Sequence, residues 1–188
     1  LLQDLRKTLS PTMKATMRKN KGNIFIVSAP SGAGKTTICQ KLTELFPDIR
    51  HSVSYTTRLQ RNGEVNDRDY TFVNESEFLK MAEAGEFVEW AKVHGNLYGT
   101  SKRRLKEMMD QGINVVLDID TQGAKQIRGC YDDGVYIFIL PPSMETLRER
   151  LEKRMSNSPD EIELRMKRAA DEIREYKNYD YVIVNNDI

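Results

Sequence analysis

The ten residues from Ser28 to Thr37, SAPSGAGKTT, constrain this chain more than any other stretch. They follow an apolar run, Ile24-Phe25-Ile26-Val27, and precede a stretch that reads as a helix. A strand, a glycine-bearing loop ending in Gly-Lys-Ser/Thr and a helix together make a phosphate-binding loop. The loop here is Ala29, Pro30, Ser31, Gly32, Ala33, Gly34, Lys35 and Thr36, with Ala29 where the pattern has glycine. Gly32 and Gly34 let the backbone turn its N–H groups onto phosphate oxygens. The helix beginning near Lys35 points the positive end of its dipole at the same place. Lys35 brings a mobile positive charge for β and γ phosphates, and Thr36 offers a hydroxyl to Mg²⁺. A plain glycine-rich turn needs neither the lysine nor the hydroxyl. The loop implies a bound nucleoside triphosphate, with Thr37 completing the candidate contacts, and leaves its use open.

Around this loop, short runs rich in Val and Ile alternate with helical stretches. Candidate core strands are residues 23–28, 51–54, 114–118, 135–140 and 181–185. Their near-continuous apolar character is that of strands buried on both faces of a parallel sheet. Helices are expected over residues 35–45, 75–84, 101–111, 121–128, 143–154 and 160–175. The alternation implies an α/β fold, a P-loop core with a five-stranded parallel sheet flanked by helices. Residues 55–100 are long for one crossover and carry short strands of their own, 70–73 and 87–91, so they read as an inserted mixed subdomain. The polar turn at 154–160 between two arginine-rich helices reads as the tip of a flap. Both inserts are expected at the carboxyl ends of strands, where open α/β sheets bind ligands. Residues 1–21 are expected to form a basic, mobile arm.

With 29 basic and 28 acidic residues the net charge is +1, which argues against a general nucleic-acid binder. No apolar run approaches the roughly 20 residues that span a bilayer, and the first residues lack a signal peptide's apolar centre. Cys39 and Cys130 have no metal-ligand spacing and read as two free thiols in a reducing cytoplasm. His51 and His94 form neither a helical pair nor a triad and read as structural or rim residues.

Four further stretches suggest what the triphosphate is used for. In SVSYTTRLQRNGEVNDRDYTF, Arg58 and Arg61 can converge on one anion, Tyr70 adds a hydroxyl donor and Glu64 can hold an arginine in place. A solvated charged loop would carry the same residue types. In EFVEWAKVHGNLYGTSKRRL, Glu89 lies between apolar neighbours and reads as directed into a pocket. A carboxylate suits the N1–H and N2 amine of guanine, and Ser54 and Thr100 could donate to O6. Adenine presents the reverse pattern, so the wrong base leaves groups unpaired. GNLYGT reads as a turn that aims Tyr98 and Thr100 inward. In VVLDIDTQGAKQI, Asp118 ends an apolar strand beside the loop, where an acidic side chain can bind the water shell of Mg²⁺. Asp120 either shares that face or caps the following helix. Finally, Arg150 and Arg154 share a helix face and Arg165 faces them across the polar turn, an arrangement suited to a lid that supplies transition-state charge. Ordinary surface ion pairing is the plainer account of those arginines.

Taken together, the stretches resemble the guanylate kinase family from about Gly22 to Asp187. The resemblance rests on TTRxxRxGExxxxDYxF at residues 56–72, FxEWAxxxGNxYGT at 87–100 and LDIDxQGA at 117–124. It rests also on the PPS at 141–143, the Arg-Leu at 150–151 and the VNxD at 184–187. It implies phosphoryl transfer from ATP to GMP, and to dGMP, with Mg²⁺, in a cytoplasmic enzyme that is a monomer or homodimer. It implies a guanine site at Ser54, Glu89, Thr100 and Asp120, and a GMP-phosphate clamp at Arg58, Arg61, Tyr70 and Tyr98 with Glu64 beside them. Asp118 belongs to the same GMP side and, with Thr36, to the metal. Lys35, Arg58, Arg150, Arg154 and Arg165 would stabilise the transferring group, and Asn185 would contact the adenine side. The implied division is a core of residues 22–54 and 101–188, a GMP-binding insert at 55–100 and a lid near 148–168. Departures are Ala29 in the loop, Met155 where the lid motif commonly has glycine, and a chain ending at Ile188 where the family continues into a helix. Rival readings are a scaffold-type module that binds phosphorylated peptides, disfavoured by the intact Gly34-Lys35-Thr36, and a related kinase with another acceptor, disfavoured by Glu89.

Overall fold

The computed structural model describes residues 21–93, 95–131, 133–153 and 159–186. The expected arm therefore lies outside the described residues, apart from Lys21, as do His94, Arg154, Met155 and the rest of the expected flap tip up to Ser158.

Five strands form one wholly parallel sheet: β1 (Ile24–Ser28), β2 (Ile49–His51), β7 (Asn114–Asp118), β8 (Val135–Leu140) and β9 (Tyr181–Val184), in the order β2-β7-β1-β8-β9. The apolar runs form its centre because the period of two sends alternate side chains to opposite faces. Ile24 and Ile26 of β1 join Val115 and Leu117 of β7 on one side, while Val27 and Val116 pack on the other. Helix α1 (Lys35–Leu45) covers the second face and buries Cys39 there. The exposed edges are short β2 and β9, where Val182 and Val184 face outward.

The chain leaves this sheet earlier than its apolar pattern suggests. Residues 51–54 were expected as a strand, but pairing ends at His51, with the Ser52 N–H donating to Val116 O at 3.0 Å just beyond it. A second sheet follows, ordered β4-β3-β6-β5, from β3 (Tyr55–Thr56), β4 (Thr71–Phe72), β5 (Phe87–Val93) and β6 (Asn96–Ser101). Helix α2 (Glu75–Glu83), capped by Asn74, lays Phe78 against Phe87 and Leu97 beneath it. All of GNLYGT but Gly95 is thus strand, not turn. Tyr98 and Thr100 share a face because they are two residues apart in β6, and Gly95 (φ 84°) makes the turn before it.

The remaining helices start where short polar side chains accept orphan N–H groups. Ser101 caps α3 (Lys102–Asp110), Asp120 caps α4 (Thr121–Arg128) and Ser143 caps α5 (Met144–Glu152). Helix α6 (Pro159–Ile173) runs on into a 3-10 turn, Arg174–Asn178, and packs Ile162, Met166 and Ala169 against Leu147 and Leu151 of α5.

Candidate active site

At the carboxyl end of β1 the loop from Ala29 to Thr36 turns through Gly32 (φ 96°) and Gly34 (φ 91°), a backbone region that L side chains avoid. Gly32 has a second reason to lack a side chain: a Cβ there would lie 3.0 Å from both Leu147 and Leu151 of α5. Gly34 is the N-cap of α1 and supplies no side-chain cap, which leaves the helix's first N–H groups facing the loop. Ala29, Pro30, Ser31, Gly32, Gly34, Lys35, Thr36 and Thr37 line one cleft of about 260 Å³. Ala33 is fully buried behind them.

Lys35 turns to the end of β7. Its Nζ is 2.6 Å from Asp118 Oδ1 and donates to Ile119 O at 2.8 Å. The Thr36 hydroxyl donates to the other oxygen of Asp118 at 3.0 Å. Burial works against both charges, but their mutual attraction and hydrogen bond prevail, so the ammonium is held above and the carboxyl below its ordinary value. His51, at the end of β2, feels the same pair; burial pushes its imidazole down.

Facing the loop across the cleft is the second sheet. Ser54, Tyr70, Glu89, Ala91, Tyr98 and Asp120 line this side. Glu89 is only 4 % exposed, and the fully buried Thr100 donates its hydroxyl to Glu89 Oε1 at 2.5 Å. Burial pushes the Glu89 carboxyl up to about 7, with Asp120's charge adding to the rise and the Thr100 bond opposing it. Its direction comes from a bulge. Phe87 pairs with Ser101, but Glu89 pairs with Thr100, so Val88 is the extra residue. Phe87 then enters the insert's core, Val88 the main core and Glu89 the cleft. Asp120 stands at the N-terminus of α4. It lines the cleft while its Oδ1 accepts from the Gly123 N–H at 2.8 Å.

Arg58 forms a two-point pair with Glu64, at 2.7 and 3.1 Å, and lies over the Tyr70 and Phe72 rings. The arginine bond holds the Glu64 carboxyl below its usual range. Tyr70 and Tyr98 meet edge to face at 6.0 Å. Arg61 gives its backbone N–H to Glu64 at 2.8 Å and exposes its side chain. Arg150 does not line the cleft: its Nη2 donates to the carbonyls of Asn185 and Asn186 at 3.1 and 3.2 Å. Arg165 sits half-buried on α6, also away from the cleft lining. Asn185 was expected as an adenine-side contact at the end of the last strand. It is fully buried, and its Nδ2 donates to Ala33 O at 2.8 Å, so its amide holds the phosphate loop from behind.

One ionisable cleft residue escaped the reading of the sequence. Glu172 of α6 accepts the Ser31 N–H, and burial pushes its carboxyl up. Its Oε2 is buried with no hydrogen-bond partner among the described residues. It falls four residues after Arg168 and seven after Arg165, so an acid on the arginine-bearing helix face was the available signal.

Among the described residues no group of three or more His, Cys, Asp or Glu could hold a metal, and no helix is long and apolar enough to cross a membrane. Thr36 and Asp118 nonetheless suit Mg²⁺, which keeps several waters and takes its other ligands from substrate phosphates.

A parallel sheet with a phosphate loop after its first strand, facing a second sheet across the cleft, defines a P-loop phosphotransferase of the nucleoside monophosphate kinase class. The family model for guanylate kinase matches residues 21–188. A guanylate kinase from Geobacter metallireducens is 57% identical over 168 residues, covering 89% of this chain and 83% of the relative. One from Geobacter sulfurreducens is 55% identical over the same shares. The crystal structure of guanylate kinase from Anaplasma phagocytophilum superposes with a TM-score of 0.73 at 41% identity, covering 92% of this chain and 81% of that one. The chain belongs to the guanylate kinase family, enzymes that use ATP to phosphorylate GMP to GDP.

Proposed function

We propose that this chain transfers the γ-phosphoryl group of Mg²⁺-bound ATP in line to GMP, and also to dGMP, since no residue singled out reads the 2′-hydroxyl. The observation that carries the base assignment is Glu89, a buried carboxylate on the same cleft as the phosphate loop. Ionised, it accepts from guanine N1–H and N2; Ser54, Thr100 and Asp120 complete the base site. Arg58, Arg61, Tyr70 and Tyr98 hold the GMP phosphate, with Glu64 fixing the Arg58 guanidinium beforehand.

The phosphate loop holds the triphosphate, and Lys35 leaves Asp118 for the phosphates. Thr36, and Asp118 through water, would hold Mg²⁺, which would offset the charge of the phosphates. Phosphate monoesters are largely dianionic near neutral pH, so the attacking oxygen needs no side-chain base. Alignment and charge neutralisation are the main tasks. Arg150, Arg154 and Arg165 supply that charge when the lid around residues 148–168 closes, a step that takes Arg150 from the carbonyls of Asn185 and Asn186. In this reading the core is residues 22–54 and 101–188, the GMP-binding insert 55–100 and the lid about 148–168, and the site of action is cytoplasmic.

An ADP-release assay with ATP and Mg²⁺, offering GMP, AMP, CMP and UMP in turn, tests this reading. Turnover with GMP alone, lost in Glu89→Ala, is expected. Equal turnover with AMP, or full GMP activity in the variant, would remove the base assignment.

A further inference from the structure

Two residues of α4 outside the set assigned to the substrates touch the strand that carries Glu89. Gly123 is buried and helical, and no left-handed backbone requires glycine there. What requires it is space. A Cβ at 123 would overlap Glu89 Oε2 and lie 3.0 Å from Glu89 Cδ, while the next atom, Asp120 Oδ1, is at an ordinary 3.4 Å. Glu89 cannot yield without loss, because its other oxygen is held by Thr100 and its surroundings are closed. One turn further along the helix, Gln126 grips the neighbouring residue's backbone at both ends. Its Oε1 accepts from the Trp90 N–H at 3.1 Å and its Nε2 donates to Trp90 O at 2.8 Å. β5 is an outer strand of the insert's sheet, so this amide occupies an edge that no strand among the described residues covers.

We propose that α4 sets the acceptor specificity of the enzyme, with Gly123 leaving the space into which Glu89 fits and Gln126 fixing the register of β5 against the core. Both are positioning residues, and their role rests on the reading of Glu89 as the base-reading group. The Asp118 end of β7 and the Glu89 end of β5 then form one rigid frame, with the two substrates on either side of α4's N-terminus.

The test compares Gly123→Ala, Gln126→Leu and Glu89→Gln with the unsubstituted chain, measuring KM for GMP and ATP, GMP-over-AMP preference and thermal midpoint. Trp90 is the only tryptophan, so its fluorescence also reports GMP binding without turnover. Gly123→Ala should raise the KM and Kd for GMP by about tenfold or more, since small misplacements cost that much. Its KM for ATP should stay within about twofold, and its thermal midpoint should fall only modestly, because alanine's better helix propensity offsets part of the cost of crowding Glu89. Gln126→Leu should raise the GMP KM about threefold or more and lower the preference over AMP, with ATP again unaffected. Unchanged GMP KM and preference in both variants would overturn the proposal while leaving the Glu89 reading intact. If Gly123→Ala does not fold, the exposed Gln126 decides alone. Full GMP activity in Glu89→Gln would overturn the base reading and this inference with it.

Discussion

Glu89 is under two opposed demands. In its proposed role guanine needs it ionised, whereas its burial favours the neutral acid and pushes its carboxyl from 4.5 up to about 7. Because the folded value lies above the unfolded one, the native state holds the proton more tightly between those limits. Stability from this group is full below about 4.5 and falls as pH rises through about 7, by roughly 3 kcal/mol in all. Affinity for GMP runs the other way. KM for GMP is expected to climb as pH drops below about 7, while KM for ATP does not follow it; parallel drift of both would exclude Glu89 as the cause. Glu89→Gln should gain thermal stability at pH 8, by about 5 °C, lose that gain at pH 5, and lose GMP turnover at both. The pair Lys35 and Asp118 behaves oppositely. Asp118 is depressed by its partner despite burial, so its contribution is present above the ordinary carboxyl range and is lost as pH falls through its lowered value. Lys35→Ala should cost about 3–5 kcal/mol at pH 7 by stranding a buried charge. Urea titrations should show a smaller loss at pH 5, where the unpaired Asp118 can take up a proton. An equal loss at both values would mean that packing, not charge, is what the lysine provides.

At the scale of elements, what could be read from the sequence divides along a physical line. β1, β7 and β8 are legible because they are buried on both faces, so composition alone marks them. The helices are legible to within a few residues because apolar period and caps agree. β6 was taken for a turn because its glycines and asparagine mask a strand whose support is cross-strand pairing and not propensity. The bulge that aims Glu89 left no trace, since it depends on the register of two strands. Among site residues, Lys35 and Thr36 stand at the loop, and the Asn185 amide, expected as an adenine-side contact, supports the loop from behind. That tether is a property of β9 meeting the loop across the sheet, invisible in either segment alone. Asn185→Leu is therefore expected to raise KM for ATP about five- to tenfold by freeing Ala33 O, with KM for GMP unchanged. Preference for ATP over GTP as donor should persist, because the loop binds phosphates. Erosion of that preference would instead make Asn185 a reader of the adenine ring.

For the whole molecule, the question is whether the two sheets fold as one body. The insert has a small apolar cluster of its own, Phe78, Phe87 and Leu97, which is little to stand on alone. β5 joins it to the main core. Val88, next in the chain after Phe87, packs with Ile24, Ile26 and Leu117, and Lys102 donates its N–H to Glu86 O at 2.9 Å where the chain returns. Unfolding the insert would therefore expose part of the main core, and unfolding the core would remove the helix against which β5 is held. Both losses favour a single transition. Trp90, on β5, reports the insert by fluorescence, while far-ultraviolet circular dichroism is dominated by the core's helices and sheet. The two signals are expected to give coincident urea midpoints, and GMP should move both together, because a ligand of the native state stabilises whatever unfolds with its site. A Trp90 transition at lower urea than the dichroism, shifted by GMP while the other stays fixed, would show that the base-reading sheet opens by itself. Closure on GMP would then be a local folding event instead of a movement of rigid parts.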